Sequence, residues 1–497
     1  MIKPMRFNPA SSLFVVITIV ITSGLISPVN DQIEVSEITS EIQLAERSGD
    51  PIAPYRENPW YWEYRDEPVL LIGASDQDNL FQWTGEQLTD HLDLLTSVGG
   101  NYLRNTMSDR DEGNLYAFQR LENGQYDLDQ WNEEYWERLE FFLKETQNRN
   151  IIVQLTLWDQ FDLGEPWPVH AWNPANNINY SGDVIGSRDD FYNTVESAND
   201  AVLSYQEKFV AQILSISLQF DHVLYNINNE SSEGKIWENY WGEYINRKAD
   251  ESGAEVYVTT MQFDPSTSVR HVMTHRDIFS FAEISQNNQD SRGGRGPAHY
   301  ENIINWRQKI GSQTLGPMPM NNVKVYGSMD GPNYSAGTAK EAAERFWRNI
   351  FAGSASSRFH RPAITWGIGL DERAQINLNA MKMLLDELDI FTTTPHNDLL
   401  NSYVELSGSM EAYCLADIGN QYAVYFPAGR YSIDLDPWVY IEQVRIKWLD
   451  IDQGIWSDEE IVDVHWEGSI EEWGDRGRIR LTTPSNRSYV AFLEVVE

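Results

Sequence analysis

Between residues 68 and 388 the chain alternates short apolar runs with longer amphipathic stretches. The apolar runs have the length and composition of β-strands that are buried on both faces, and the stretches between them carry apolar residues at helical spacing. Eight such strand–helix units predict an α/β fold of the (β/α)₈ (TIM) barrel type. A doubly wound parallel sheet is the alternative, but the sequence has no G-x-G-x-x-G turn or P-loop to support it.

The predicted strands and helices alternate along this region, with a long loop around 160–200. The strands are predicted at 68–75, 101–108, 151–159, 222–230, 255–263, 279–286, 321–327 and within 358–370. The helices are predicted at 84–99, 127–150, 204–220, 234–253, 301–311, 338–354 and 371–388.

After residue 400 the pattern changes to alternation of single apolar and polar residues, interrupted by Gly, Pro and Asn turns. A period of two with frequent turns predicts a small antiparallel β-sandwich. The predicted domain organisation is therefore a signal peptide at 1–28, a linker at 29–52, the barrel at 53–398 and the sandwich at 399–497.

The N-terminal segment has the pattern of an export signal. Lys3 and Arg6 precede the apolar run Leu13–Ile21, and small residues and Pro28 follow it. The run is short for a membrane span, so a secreted or periplasmic location is predicted, with an uncleaved membrane anchor as the alternative. Cys414 is the only cysteine, which excludes a disulfide framework.

Charge and aromatic content limit the partners. Against 37 Lys and Arg the chain carries 75 Asp and Glu, a formal charge of −38, which disfavours nucleic acid and anionic membranes by repulsion. The 18 Trp and 24 Tyr exceed what a core of this size needs, and flat aromatic faces also stack on sugar rings. A carbohydrate partner is expected, with no cofactor; the sequence does not predict an oligomeric state.

In a (β/α)₈ barrel the functional side chains lie where the strands end, on one face. The strand ends of this chain offer amides, carboxylates and aromatics, which suit a neutral polyol better than a phosphate. The candidate substrate-binding residues are Asp76, Asn79, Trp83, Arg104, Trp158, Asp159, Asn228, Asn229, Gln262, Gln286 and Tyr326. No H-E-x-x-H motif, Cys/His cluster or G-x-S-x-G elbow is present, so neither a metal site nor a serine hydrolase is predicted.

Three blocks of the sequence resemble a known group of proteins. These blocks are NPWYWEYRDEPVLLIGASDQDNLFQW (58–83), ERFWRNIFAGSASSRFHRP (344–362) and EAYCLADIGNQYAVYFPAG (411–429). They are similar to glycoside-hydrolase-like barrels with a collagen-binding-like C-terminal domain, although that group tends to continue the last block with Gly where this chain has Arg430. The barrel in turn resembles the retaining glycosidases whose fourth strand ends in Asn-Glu. The resemblance implies that Glu230, after Asn229, is the acid/base residue.

Glycoside cleavage requires an acid that protonates the leaving oxygen and a second carboxylate across the anomeric carbon. Glu230 is the predicted acid, and partial burial at a strand end favours a carboxyl that holds its proton. The retaining clan has its nucleophilic Glu at the end of strand seven, but that strand reads NNVKVYGSMDG here and contains no Glu. The candidates for the second carboxylate are Asp330 and Glu283, with Asp159 as a third acid that suits substrate positioning.

The predicted function is a secreted glycoside hydrolase that acts on a poly- or oligosaccharide through two carboxylates. One alternative is a non-catalytic carbohydrate-binding protein on a degenerate barrel, which the missing strand-seven Glu would explain. Another is a polysaccharide lyase, for which Lys324 and Tyr326 could act as bases provided that the cleft is locally basic. For collagen binding or proteolysis the sequence has no metalloprotease motif and no other residues that indicate a mechanism.

Overall fold

The computed structural model describes residues 50–164, 166–231, 234–286, 296–327, 337–362, 366–401, 411–467 and 476–496. The predicted signal peptide and all of the predicted linker before residue 50 lie outside these residues. Among the helices that are described, none is both long and apolar enough to cross a membrane.

A small antiparallel sheet precedes the strand–helix alternation. Its strands are β1 (Ala53–Pro54), β2 (Trp62–Tyr64) and β3 (Glu67–Val69). The strands that follow are β4 (Leu71–Ala74), β5 (Tyr102–Thr106), β6 (Phe118–Arg120), β7 (Tyr126–Trp131), β8 (Ile152–Asp159), β9 (Val223–Asn229), β10 (Val258–Thr259), β11 (Ala282–Glu283), β12 (Met320–Asn321) and β13 (Ser356–Phe359). The helices are α1 (Glu86–Ser97), α2 (Glu133–Asn148), α3 (Arg188–Phe191), α4 (Asp200–Ser217), α5 (Lys235–Ser252), α6 (Pro265–Thr274), α7 (Gly296–Gly311), α8 (Ala339–Phe351) and α9 (Glu372–Leu385).

The predicted helices and most of the predicted strands of this region are present, with shorter bounds for several strands. The strand predicted at 321–327 overlaps β12 only at Asn321, and the strand predicted within 358–370 overlaps β13 only at Arg358 and Phe359. The main difference lies at the start of the predicted helix 127–150, where β7 pairs with β6 before α2 begins. Trp131 and Tyr135 share helical spacing, but the Asp and Gln residues of 127–130 have weaker helix propensity than the run that follows them. The observed α6 was not predicted, because its sequence PSTSVRHVMT has few strong helix formers.

Parallel strands form the centre of the molecule. A six-stranded parallel sheet has the order β10-β9-β8-β5-β4-β13, and β11 and β12 form a parallel pair. Backbone hydrogen bonds continue from this pair in both directions: Ser280 N donates to Val258 O, and Ala355 N donates to Met320 O, each at 2.8 Å. The protein is thus a mixed α/β protein with a parallel sheet.

The strands are buried along their whole length because helices cover one face and polar and apolar side chains fill the other. All eight residues of β8 and all seven of β9 are buried. At the end where the strands begin, β2 contributes Trp62, whose indole donates to Asn321 Oδ1 at 2.9 Å. Trp62 belongs to an apolar cluster with Leu71 and Tyr102 at that end, so polar functional side chains are expected at the opposite end, where the strands finish.

Antiparallel strands make up the C-terminal region. They are β14 (Thr394–Pro395), β15 (Leu400–Asn401), β16 (Tyr413–Asp417), β17 (Gln421–Phe426), β18 (Ser432–Leu435), β19 (Gln443–Asp450), β20 (Ile455–Trp456), β21 (Glu460–Asp463), β22 (His465–Glu467), β23 (Arg476–Thr482) and β24 (Tyr489–Val496). One sheet has the order β14-β16-β17-β24-β19-β20, with β21 also on β19, and a second has the order β15-β18-β23-β22.

Two apolar clusters hold the C-terminal sheets in place. One cluster lies between the two sheets and includes Val424 and Leu481. The other face of the larger sheet packs on α8, where the ring of Tyr425 stacks on Trp347 with centroids 5.4 Å apart. Beside this stack Arg348 forms an ion pair with Glu411 at 2.6 Å.

Candidate active site

Glu230 lies directly after β9, at the end of the parallel sheet where the strands finish. It is 8 % exposed, and its carboxylate forms an ion pair with the buried Lys324. The Tyr326 hydroxyl donates to the same oxygen, Oε1, at 3.2 Å. Glu230 has a φ of 56°, a left-handed conformation that is unfavourable for a residue with a side chain and is frequent at functional sites.

Asn229 connects Glu230 to the neighbouring strand. Its Nδ2 donates to Asp159 Oδ1 at 2.9 Å, as the register of β8 and β9 pairs Asp159 with Asn229. Its Oδ1 accepts from Lys324 Nζ at 2.5 Å. Asp159 forms a further ion pair with Arg110, so a continuous chain of charged and amide groups runs from Arg110 to Tyr326.

Burial controls the ionisation of the groups around Glu230. It lowers the pKa of Lys324 below the ordinary value of 10.5, although the Glu230 carboxylate opposes the shift. Burial and the charge of Glu230 together raise the pKa of Tyr326 well above 10.0, so this phenol is a proton donor. Of Lys324 and Tyr326, the directions of these two shifts favour loss of a proton from Lys324.

A second charged group surrounds Asp78, in the loop after β4. Asp78 Oδ2 lies 3.0 Å from Arg104 Nη1 and 3.2 Å from Arg361 Nε, and its Oδ1 lies 3.4 Å from Arg358 Nη2. Burial alone would raise the pKa of Asp78, but Arg104 and its neighbours hold it well below 3.8. The charge of Arg104 contributes to the lowered pKa of Lys324 and partly opposes the raised pKa of Tyr326, so the two groups of charges are electrostatically connected.

Asp159 and Asp162 have opposite environments. Burial would raise the pKa of Asp159, but Arg110 and Asn229 lower it below 3.8. Burial and the charges of Asp159 and Asp109 raise the pKa of Asp162 well above 3.8. Asp159 is therefore a carboxylate that holds Asn229, whereas Asp162 tends to keep its proton.

Glu283 lies on β11 within a polar network in the sheet interior. Its Oε2 accepts from Gln154 Nε2 at 3.0 Å, and its Oε1 accepts from Ser285 N at 2.7 Å. Burial raises the pKa of Glu283. One oxygen is thus held by a side chain of β8 and the other by the backbone just after β11. Asp330, the other predicted catalytic carboxylate, lies outside the described residues.

Trp158 and Asn228 directly precede Asp159 and Asn229, the residues that face the site. Because side chains alternate along a strand, Trp158 and Asn228 lie on the opposite face of the sheet. The ring of Trp158 packs on Phe209 of α4 and Trp237 of α5, with centroids 5.0 and 5.6 Å away. Asn228 pairs with Trp158 in the register of β8 and β9, and both residues are buried. The structure therefore places Trp158 in the helix layer rather than beside Glu230.

Three predicted residues from the first loop hold other loops in place. Asp76 Oδ1 accepts from Leu370 N at 2.8 Å, and Asn79 Nδ2 donates to Ser108 O at 3.1 Å. Trp83 packs edge-on against His91, at 5.4 Å between ring centroids. These contacts are structural, and Asp78 is the carboxylate of this loop that joins the charged cluster.

Gln262 and Gln286 follow β10 and β11. Gln286 is buried, and its Nε2 lies 4.0 Å from Met261 Sδ. Gln262 Nε2 donates at 2.7 Å to Oε2 of Glu238, a fully buried residue in the first half of α5. Burial raises the pKa of Glu238 from 4.5 to about 7.

The raised pKa of the buried Glu238 carboxyl leads to a prediction about the stability of the fold. The pKa of Glu238 is higher in the folded protein than in the unfolded chain. Its contribution to stability is therefore complete below pH 4.5 and is lost as the pH rises through about 7. The shift corresponds to about 3 kcal/mol, so Glu238→Gln should raise the free energy of unfolding by about 1–3 kcal/mol at pH 8 and leave it nearly unchanged at pH 4.5. Urea unfolding at both pH values measures this. Glu243→Gln, on the exposed face of the same helix, is the control, and an equal change at both pH values would contradict the assignment.

Several residues of the site were not predicted. Lys324 was considered only for a lyase, and Asp78, Arg110, Arg358 and Arg361 were not considered. A usable signal was present in RFHR (358–361), where basic residues alternate with Phe359 on a predicted strand. Arg110 had no such signal, because it lies in a loop whose path depends on the tertiary structure. Within the described residues, no group of three or more His, Cys, Asp or Glu residues could hold a metal ion.

Solved structures of glycoside hydrolases are similar to this chain in fold. A glycoside hydrolase family 5 protein from Bacteroides vulgatus superposes with a TM-score of 0.61 at 12 % identity, over 90 % of this chain and 93 % of that one. A second glycoside hydrolase gives 0.60 at 12 % identity, over 90 % and 97 % of the two chains. A family 5 mannosidase from Rhizomucor miehei, in complex with mannosyl-fructose, gives 0.50 at 13 % identity over 68 % and 97 %.

No protein-family model matches the sequence, and no curated protein matches it either. The structural similarity extends over nine-tenths of the chain at an identity too low to carry a substrate or a mechanism. The conclusion from fold and site together is that this protein has a glycoside-hydrolase-like fold, with Glu230 among charged and amide groups where the parallel strands end.

Proposed function

We propose that the protein is an exported glycoside hydrolase and that Glu230 is its acid/base residue. The observation that carries the proposal is the position of Glu230 at the end of β9, between Asn229 and the pair Lys324 and Tyr326. Lys324 and Tyr326 both contact Oε1 of Glu230, and these contacts orient the carboxylate toward a substrate at the strand ends. The similarity of the fold to glycoside hydrolases supports the same reaction class.

The proposed architecture is a closed (β/α)₈ barrel at 53–398 and a β-sandwich at 399–497. The hydrogen bonds from Ser280 to Val258 and from Ala355 to Met320 support closure, because they join the β11–β12 pair to both edges of the six-stranded sheet. The apolar cluster between the two C-terminal sheets supports the sandwich. Export by the segment 1–28 remains a proposal from the sequence.

In the proposed mechanism the Glu230–Lys324 pair holds the transferable proton. Lys324 gives its proton to the Glu230 carboxylate, and Glu230 passes this proton to the glycosidic oxygen as the bond to the anomeric carbon breaks. Burial lowers the pKa of Lys324 and so favours this transfer. Water then adds its hydroxyl to the anomeric carbon, and its proton returns to the pair. Asn229, fixed by Asp159, is placed to bind a sugar hydroxyl.

The second carboxylate is the open part of this mechanism. The two oxygens of Glu283 accept hydrogen bonds from the Gln154 side chain and from the Ser285 backbone, and Asp159 is paired with Arg110. We propose Asp330 as the partner of Glu230, since the other two candidates already have structural contacts. Asp330→Asn should then abolish turnover while Glu283→Gln retains it.

Lys324 makes the mechanism testable by pH. A charge-assisted hydrogen bond contributes about 1.5–3 kcal/mol, so Lys324→Met should lower kcat about tenfold to a hundredfold. In the wild type, loss of the Lys324 proton produces a decline of kcat at alkaline pH, below the ordinary lysine value of 10.5. The variant should lack this decline. The rate–pH profile on a cleaved glycan measures it, with Lys340→Met on the exposed side of α8 as the control; an unchanged alkaline limb would exclude the proton transfer.

A polysaccharide lyase is the second candidate, and one observation favours it. Arg104, Lys324, Arg358 and Arg361 are all buried around the site, although the whole chain has a formal charge of −38. Basic groups are thus concentrated at the strand ends of an acidic chain, where they pair with Asp78 and Glu230, and an acidic sugar would require such groups. Incubation with neutral and uronate polysaccharides separates the two candidates: hydrolysis yields reducing ends alone, whereas a lyase also yields an unsaturated product that absorbs ultraviolet light.

A further inference from the structure

An exposed aromatic surface lies in the C-terminal region, between β18 and β19. Trp438 is 56 % exposed and Tyr440 is 70 % exposed, with Val439 between them at 40 %. One face of the Tyr440 ring stacks on Trp466, with centroids 5.2 Å apart and an angle of 27°. We call Trp438, Tyr440 and Trp466 the aromatic surface. Exposed aromatic area of this kind costs free energy in water and marks an interaction site.

The loop that carries this surface is held by specific hydrogen bonds. Asp436 Oδ1 accepts from Trp438 N at 3.1 Å, and the Tyr422 hydroxyl donates to Pro437 O at 2.9 Å. On the far side, Trp466 Nε1 donates to Ile441 O at 2.9 Å. The aromatic rings are therefore presented by an ordered turn, and a ligand would not have to order the backbone on binding.

Trp438 is also strained. Its φ is 59°, in the left-handed region that bulky residues rarely adopt and that glycine adopts freely. A tryptophan in this left-handed conformation costs stability. Because more than half of Trp438 is exposed, core packing does not compensate for that cost. Such strain is a feature of functional positions.

The chemistry of the surface selects its ligand. The rings offer flat apolar faces, and such faces stack on the C–H faces of sugar rings. The formal charge of −38 opposes nucleic acids, anionic membranes and acidic polysaccharides by repulsion, so a neutral polymer is the complementary partner. We propose that the aromatic surface binds a neutral polysaccharide, at a site separate from Glu230 and independent of any hydrolysis there.

The test is binding of the full chain to polysaccharides. The probes are insoluble cellulose and chitin in sedimentation, and soluble xylan, galactomannan and mixed-linkage β-glucan in affinity electrophoresis. We expect retention by at least one of them, and roughly tenfold weaker association for Tyr440→Ala and for Trp438→Gly. Trp438→Gly is informative because glycine relieves the strain at φ 59°. It should therefore lose binding with an unchanged or higher thermal midpoint, so the loss cannot be attributed to unfolding.

The controls separate this proposal from the proposed function. Ile455→Ala and Ile461→Ala, which remove exposed apolar side chains elsewhere in the same region, should bind as the wild type does. Glu230→Gln should also bind normally. Failure of the wild type to bind any of the neutral polymers overturns the proposal, as does binding only to collagen or alginate, or full binding by the Trp438→Gly, Tyr440→Ala double variant. None of these outcomes bears on hydrolysis at Glu230.

Discussion

Glu230→Gln should lower kcat by about 10²- to 10⁴-fold on every glycan that the wild type cleaves, with a small change in KM. The amide has the shape of the carboxylate and can still accept from Tyr326, but it cannot transfer a proton. It also removes the charge that pairs with the buried Lys324. Initial rates on aryl glycosides and polysaccharides, at several pH values, measure the effect.

Two comparisons make this result specific. Glu255→Gln, whose exposed carboxylate accepts from the Tyr257 hydroxyl at the surface, should retain wild-type activity. A glycoside with a very good leaving group needs no protonation, so Glu230→Gln should lose far less activity on it in the bond-breaking step. Full activity of Glu230→Gln on all substrates would show that another residue is the acid.

Asp78→Asn should reduce the free energy of unfolding by about 3–5 kcal/mol, the cost of removing one partner from a buried ion pair. Asp78 balances Arg104, Arg358 and Arg361, and the amide leaves these guanidinium groups without a countercharge. The pKa of Asp78 lies well below 3.8, so its contribution is present above 3.8 and is lost as the pH falls through the lower folded value. The difference in the free energy of unfolding between wild type and variant should therefore become smaller at acidic pH.

Urea unfolding between neutral and acidic pH measures this difference. Asp90→Asn, an exposed substitution on α1, should change stability by less than about 0.5 kcal/mol. An equal gap at all pH values would mean that packing, rather than charge, accounts for the loss. Asp78→Asn is also expected to lower activity, because Arg104 connects the Asp78 cluster with Lys324 and Tyr326.

Local pattern was sufficient for much of the fold. The apolar runs 151–159 and 222–230 form buried strands, because helices cover one face and the interior fills the other. The alternation after residue 400 similarly indicates antiparallel strands. The segment 127–131 deviates, since strand pairing between β6 and β7 prevails over its helical spacing.

The position of Glu230 was predictable as well, because a carboxylate after a buried strand has only one end of the sheet on which to lie. The residues that meet it were not. Lys324 contacts Glu230 although the two residues are 94 positions apart in the sequence, and Arg110 contacts Asp159 from a loop. The sequence alone determined which strand carries the candidate acid; the tertiary structure decided that a lysine and a tyrosine contact it. Charges that are distant in sequence interact only where the packing of several strands brings them together and excludes water.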